Sequence, residues 1–218
     1  MEINALIIRS IEAQANSLLD LAHRDSNDYQ RAVELILGMS GKLVFTGMGK
    51  SGIIARKLAA TFSSTGVPSF FVHPGEAYHG DLGMIEVNDV LFALSNSGET
   101  PELLNLLKYS RSKKVIGVSH SNDSSLASFA TVHLECKVDK EVCPLNLAPT
   151  TSTTAALVMG CPSIHFSPEA EPSPFIYELN DEATRIAFPL MPRTSLDEGV
   201  RQSLIYFRGL FDRLMNPQ

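Results

Sequence analysis

Val90-Leu91-Phe92-Ala93-Leu94, running straight into Ser95-Asn96-Ser97-Gly98-Glu99-Thr100, is the stretch from which the fold is read. Five consecutive apolar residues do not alternate, so the strand has no wet face. Strands covered on both faces belong to parallel sheets. The turn that follows puts the hydroxyls of Ser95, Ser97 and Thr100 and the glycine Gly98 at the start of a helix. Such a turn offers backbone N–H groups, the positive end of a helix dipole and short hydroxyl donors together, the set that a phosphate dianion needs. Alone, it reads as an ordinary Ser/Thr-rich helix cap.

A second turn of the same build lies upstream. Gly47-Met48-Gly49-Lys50-Ser51-Gly52 follows the apolar Leu43-Val44-Phe45-Thr46 and precedes the helical Ile53-Ile54-Ala55-Arg56-Lys57-Leu58-Ala59-Ala60. A nucleoside-triphosphate P-loop would need a glycine where Val44 stands, so the arch that wraps the phosphates is missing. The dinucleotide fingerprint G-x-G-x-x-G fits Gly47, Gly49 and Gly52, but the next strand, Phe70-Phe71-Val72-His73, ends in an imidazole instead of the acidic residue that holds a ribose. Lys50 inside the turn points to a small anionic ligand.

Outward from these turns the chain alternates. Strands are expected near 43–46, 68–72, 90–95, 114–119 and 131–135, with helices near 51–65, 100–110 and 124–129. The implied class is α/β, a doubly wound five-stranded parallel sheet of Rossmann-like kind, whose ligands sit beyond the carboxyl ends of the strands. Both turns lie on that edge. Before the sheet, Ile3, Leu6, Ile7, Ile11, Leu18 and Leu19 recur at helical spacing over about 3–23. A second helix near 28–37, stopped by Gly38, completes an N-terminal helical hairpin over residues 1–40.

Composition bounds the partners. With 218 residues and 44% apolar content the chain can bury a core, and its net charge of −6 argues against a nucleic-acid partner. No run approaches the ~20 apolar residues of a membrane span, and Met1-Glu2-Ile3-Asn4 does not open a secretory leader, so the expected location is cytoplasmic. Cys136, Cys143 and Cys161 lack metal-ligand spacing and read as reduced thiols.

Imidazoles and carboxylates collect after the strands: His73-Pro74-Gly75-Glu76-Ala77-Tyr78-His79-Gly80-Asp81 after the second, Glu102 just past the hydroxyl turn, and Lys140-Glu141-Val142-Cys143 after the fifth. Each has a plain alternative, as a favourable charge in a helix's first turn or as a hydrogen-bonded structural histidine.

With GMGKSG at 47–52, FFVHPGEAYHGDLGMI at 70–85, LSNSGETPE at 94–102 and KEVCPLNLAPTTSTTAALVMG at 140–160, the region 41–160 resembles the sugar isomerase (SIS) domain of the arabinose 5-phosphate isomerases. The resemblance implies interconversion of D-ribulose 5-phosphate and D-arabinose 5-phosphate through a cis-enediolate, toward Kdo and lipopolysaccharide. It implies no required cofactor, and a homo-oligomer, by family a tetramer. Lys50, Glu102 and Glu141 match the family's catalytically relevant positions. Ser51, Ser95, Ser97, Glu99 and Thr100 fall in the phosphate turns, and Gly66, Val67, His73 and His79 match positions lining the sugar site. His73 also matches a position able to hold zinc, an optional and inhibitory ion here, since one imidazole is no cage. A non-catalytic sugar-phosphate-binding module is the alternative.

After Gly160 the chain departs from the family. Members continue with a helix, a histidine segment and often paired CBS domains. Here Cys161-Pro162-Ser163-Ile164-His165-Phe166-Ser167-Pro168 opens a divergent proline-rich tail, residues 161–218. Its last thirty residues, with Pro192-Arg193-Thr194-Ser195-Leu196-Asp197-Glu198-Gly199, faintly resemble the final helix of extended nucleotide-sugar epimerases.

Overall fold

A computed structural model describes residues 3–24 and 27–160. The expectations placed on the tail, including Cys161 and His165, lie outside the described residues. In chain order the elements are α1 (Ile3–Ala22), α2 (Asp28–Leu37), β1 (Leu43–Gly47), α3 (Gly49–Ser64), β2 (Ser69–Val72), α4 (Pro74–Ala77), a 3₁₀ turn (Asp81–Met84), β3 (Val90–Leu94), α5 (Pro101–Tyr109), β4 (Val115–Ser119), α6 (Ser125–Phe129), β5 (Val132–Glu135) and α7 (Thr151–Gly160). The five strands form one sheet in the order β2-β1-β3-β4-β5, and every pairing is parallel.

The apolar runs explain this arrangement. All five residues of β1, β3 and β4 are buried, and successive side chains go to opposite faces. Leu43, Phe45, Val90, Phe92 and Leu94 join Leu58 and Phe62 of α3 and Ala155 of α7 in one core. Val44, Leu91 and Ala93 join Leu103, Leu106 and Leu107 of α5 and Leu126 of α6 in the other. Each inner strand therefore needs both helical layers.

The helix near 3–23 forms, but the destination of its apolar stripe differs from a packed face. A helix of 20 residues is about 30 Å long and outruns the sheet. Its second half reaches α7, where the Thr154 hydroxyl donates to Gln14 Oε1 at 3.0 Å and Leu21 is buried. Ile3, Ile7, Ile8 and Ile11 remain exposed. The partner of α2 is β5 and that of α1 is α7. Three elements absent from the sequence expectations, α4, the 3₁₀ turn and α7, fall in or beside the chemistry-rich stretches. Among the described residues no helix is long and apolar enough to cross a membrane.

The β1–α3 turn depends on closeness as much as on conformation. A Cβ at Gly52 would lie 2.5 Å from the Gly47 carbonyl oxygen, so the helix start can sit against the strand end only without a side chain. Gly52→Ala is expected to destabilise the domain by about 1–3 kcal/mol, measured as a lowered urea midpoint, while the exposed Ile53→Ala stays near wild type.

Candidate functional site

The chain crosses from β2 over β1 to β3, so the sheet order reverses between β1 and β3. Chain exits there diverge and leave a crevice at the carboxyl edge. A cavity of about 350 Å³ occupies it. Lys50, Ser51, Ser95, Ser97 and Thr100 line this cavity, so both turns read from the sequence meet in one place. The β1–β3 register sets Gly47 opposite Leu94, which brings the two turns side by side.

Three helix starts face the space: α3 with Lys50 and Ser51, α5 with Thr100 as its N-cap residue, and α7 with Ser152 and Thr153. The helix dipoles, with the first-turn N–H groups of α3 and α5, make the crevice favourable for an anion, while amides at the start of α7 are held by Glu141. Lys50 in a first helical turn opposes its own dipole, and among the described residues it has no salt-bridge partner. A locally unfavourable cation at a site rim is the kind of broken rule that function explains.

The hydroxyl turn is held from within. Ser95 Oγ and Thr100 Oγ1 lie 2.8 Å apart, and Ser95 Oγ accepts from the Gly98 amide at 3.1 Å. Ser97 Oγ accepts from the Glu99 amide at 3.2 Å. Gly98 turns with φ +71°. Glu99 points the other way: its Oε1 accepts from the Ser125 amide at 2.7 Å, and the bonds from the Ser125 side chain and backbone hold its carboxyl below the usual range. It ties the turn to α6 and is not in the cavity wall.

The two carboxylates matched to catalysis are not in that wall either. Glu102 stands two residues past Thr100, about 200° around a helix, and is exposed on the side toward Tyr78. Glu141 is half-buried and straps the start of α7. Its Oε2 accepts from the Thr150 amide at 2.8 Å, the Thr150 hydroxyl at 2.9 Å and the Ser152 amide at 3.2 Å. Burial would raise its pKa, but the bonds from Ser152 and Thr150 outweigh it and hold the carboxyl low.

The remaining predicted positions lie elsewhere. His73 caps α4 after β2; its Nδ1 is buried without a hydrogen-bond partner among the described residues. His79 is exposed just beyond α4. Gly66 and Val67 are not brought to the cavity: they close α3 and precede β2, and a parallel strand begins at the edge opposite to the one where it ends. Among the described residues no group of three or more His, Cys, Asp or Glu side chains is placed to hold a metal.

The structure adds Met48, Asn96, Ser119, Cys136, Ser152 and Thr153 to the wall. Ser119 ends β4 as Ser95 ends β3, and the same strand-end logic finds it. Burial pushes the Cys136 thiol up to about 12, so it is a neutral wall group.

A SIS domain model matches residues 36–161. The chain belongs to the SIS-domain family. This SIS chain is 50% identical over 152 residues to the arabinose 5-phosphate isomerase KdsD of Yersinia pestis, covering 69% of this chain and 46% of the relative. It thus spans about half the length of the curated relatives it matches. Among solved structures, an Escherichia coli CFT073 protein in complex with A5P superposes with a TM-score of 0.68 at 42% identity, covering 73% of this chain and 88% of that one. A candidate phosphosugar isomerase involved in capsule formation, from Bacteroides fragilis, gives a TM-score of 0.70 at 41% identity, covering 73% and 86%.

The Glu141 strap has a testable energy. Glu141→Ala frees the α7 amides and is expected to cost about 0.5–2 kcal/mol. Because the folded carboxyl is held low, this contribution is complete above the ordinary value of 4.5 and fades as pH falls through the folded value. Urea midpoints of wild type and variant should differ at neutral pH and converge in acid.

Proposed function

We propose that the protein is a sugar-phosphate aldose-ketose isomerase interconverting D-ribulose 5-phosphate and D-arabinose 5-phosphate, toward Kdo and lipopolysaccharide. The observation that carries the reading is the crevice itself: the starts of α3, α5 and α7, four hydroxyl side chains of the predicted set and one cation converge on about 350 Å³. That volume suits a phosphorylated pentose. The A5P complex of the similar Escherichia coli structure and the naming of the Yersinia relative support the substrate.

In this reading Ser51, Ser95, Ser97 and Thr100 and the helix starts seat the phosphate, and Lys50 faces the oxygen on which charge builds as the enediolate forms. A base takes the proton from the carbon beside the carbonyl and returns it to its neighbour. Glu102 and Glu141 are the acid/base pair of the proposal, one moving the proton and the other orienting hydroxyls. Glu141 arrives ionised, as a base or an anchoring acceptor must be. The aliphatic half of α1 left exposed supports a homo-oligomer.

A coupled assay with D-ribulose 5-phosphate tests this. Wild type turns over; Lys50→Ala lowers kcat by about 10²–10³-fold. Of Glu102→Gln and Glu141→Gln, the proton carrier loses about 10²–10⁴-fold in kcat and the orienting residue mainly raises KM. Saturable binding of the sugar phosphate without turnover would establish the binding-module alternative, which the position of Glu102 outside the cavity wall favours.

A further inference from the structure

Behind the cavity wall lies a histidine that the chemistry above does not use. Ser119, at the end of β4, lines the cavity. Its Oγ is 2.8 Å from His133 Nε2 on β5 and 2.8 Å from Ser124 Oγ, and it donates to the Ser121 carbonyl at 3.1 Å. On the far side of the ring, His133 Nδ1 is 2.8 Å from Asn122 Oδ1.

Counting hydrogens shows what the network asks of the ring. Asn122 Oδ1 only accepts, so Nδ1 carries a proton. In a neutral ring Nε2 is then a bare acceptor and competes with the Ser121 carbonyl for the single Ser119 hydrogen. In the imidazolium, Nε2–H donates to Ser119, whose hydrogen goes to Ser121, while the Ser124 hydroxyl donates to Ser119 and accepts from the Ala127 amide at 3.2 Å. Every group then has a partner.

This network is the floor of the phosphate turn. A Cβ at Gly98 would collide with Ser124 and lie 3.1 Å from Ser119 Cβ, so the turn rests directly on both serines. We propose that His133 is a positioning residue of this cavity, joined through Ser119 to the wall that seats the anion and fixed from behind by Asn122, so that its protonation and anion binding favour one another. The proposal rests on the sugar-phosphate reading of the cavity.

Burial lowers the pKa of the free ring and outweighs Glu135 on its own strand and Asp28 on α2, which favour its charged form. Arg31 pairs with Asp28 at 2.7 Å and Arg24 with Glu135 at 3.5 Å. The loop that supplies Asn122 also carries His120 and Asp123, and Lys50 lines the same cavity. An anion entering the cavity adds a negative charge and raises the ring's pKa. The added affinity is complete below the pKa of the free ring and is lost as pH rises through the bound-state pKa. An opposite charge close by moves a pKa by about one unit, equivalent to about tenfold in affinity.

Inorganic sulfate is the probe, because it stays a dianion across the range. Calorimetry on the full chain should find wild type binding sulfate about tenfold more tightly near pH 5.5 than near pH 8, and His133→Gln changing by less than about twofold. Asn122→Asp, on an exposed side chain, should move the midpoint up by about one unit. Imidazole resonances of wild-type His133 should titrate about one unit higher with saturating sulfate, a readout that stands even if His133→Gln fails to fold. An equal pH dependence in wild type and folded His133→Gln, or a His133 titration that sulfate does not move, overturns the proposal. Arabinose 5-phosphate failing to displace sulfate overturns the sugar-phosphate reading and leaves the His133 linkage standing. No saturable sulfate binding by wild type overturns both.

Discussion

The backbone pairing of β1 with β3 is the constraint on which the molecule depends. Five residues of each are in register, from Leu43 opposite Val90 to Gly47 opposite Leu94, and both strands are buried throughout. Because they are parallel, both chains leave at one edge. Because β2 lies on one side of β1 and β3 on the other, their exits part. The glycine turn and the hydroxyl turn are neighbours for that reason alone, although more than forty residues of sequence lie between them. Slipping the register by one residue would turn Phe45 and Phe92 away from their core and separate the turns at the same time.

The site is electrostatic architecture before it is a set of reactive groups. Three helices begin around one space, and the side chains nearest to it are short hydroxyls whose own bonds tighten the turns. Two carboxylates brace this centre from outside its wall. Glu99 fastens the hydroxyl turn to α6, and Glu141 fastens the loop after β5 to α7. Both are anions at helix starts, and each gives one oxygen to backbone amides. The preorganisation of the crevice therefore rests on acids that lie outside it.

Much of this was legible in the sequence, for identifiable reasons. The non-alternating Val90–Leu94 and Leu43–Thr46 gave away two-sided burial, and the glycine and hydroxyl turns gave away the edge. Five strand-and-turn positions, Lys50, Ser51, Ser95, Ser97 and Thr100, follow from knowing where parallel strands end; Ser119, which the structure adds, stands at such an end too. What could not be read was depth. The spacing of Glu102 from Thr100 does not say on which side of α5 the carboxylate falls, and Glu141 lies in a loop whose path is set by Asn146 and Thr150. Gly66 and Val67, placed by resemblance, lie before the start of β2, at the sheet edge opposite this chain's own crevice. The helix α7 was hidden because its hydroxyl-rich opening and continuous apolar second half show no helical period, and much of what holds its start comes from Glu141 in the preceding loop.

The contact between Gly98 and the serine pair beneath it has a consequence for redesign. That turn has no slack: a bulkier residue there must lift the backbone off Ser124 and Ser119 and so retune every amide that faces the ligand. Altered ligand selectivity is better sought on the opposite bank, at Thr153 on α7, which borders the space and whose hydroxyl bonds only to carbonyls of its own helix start.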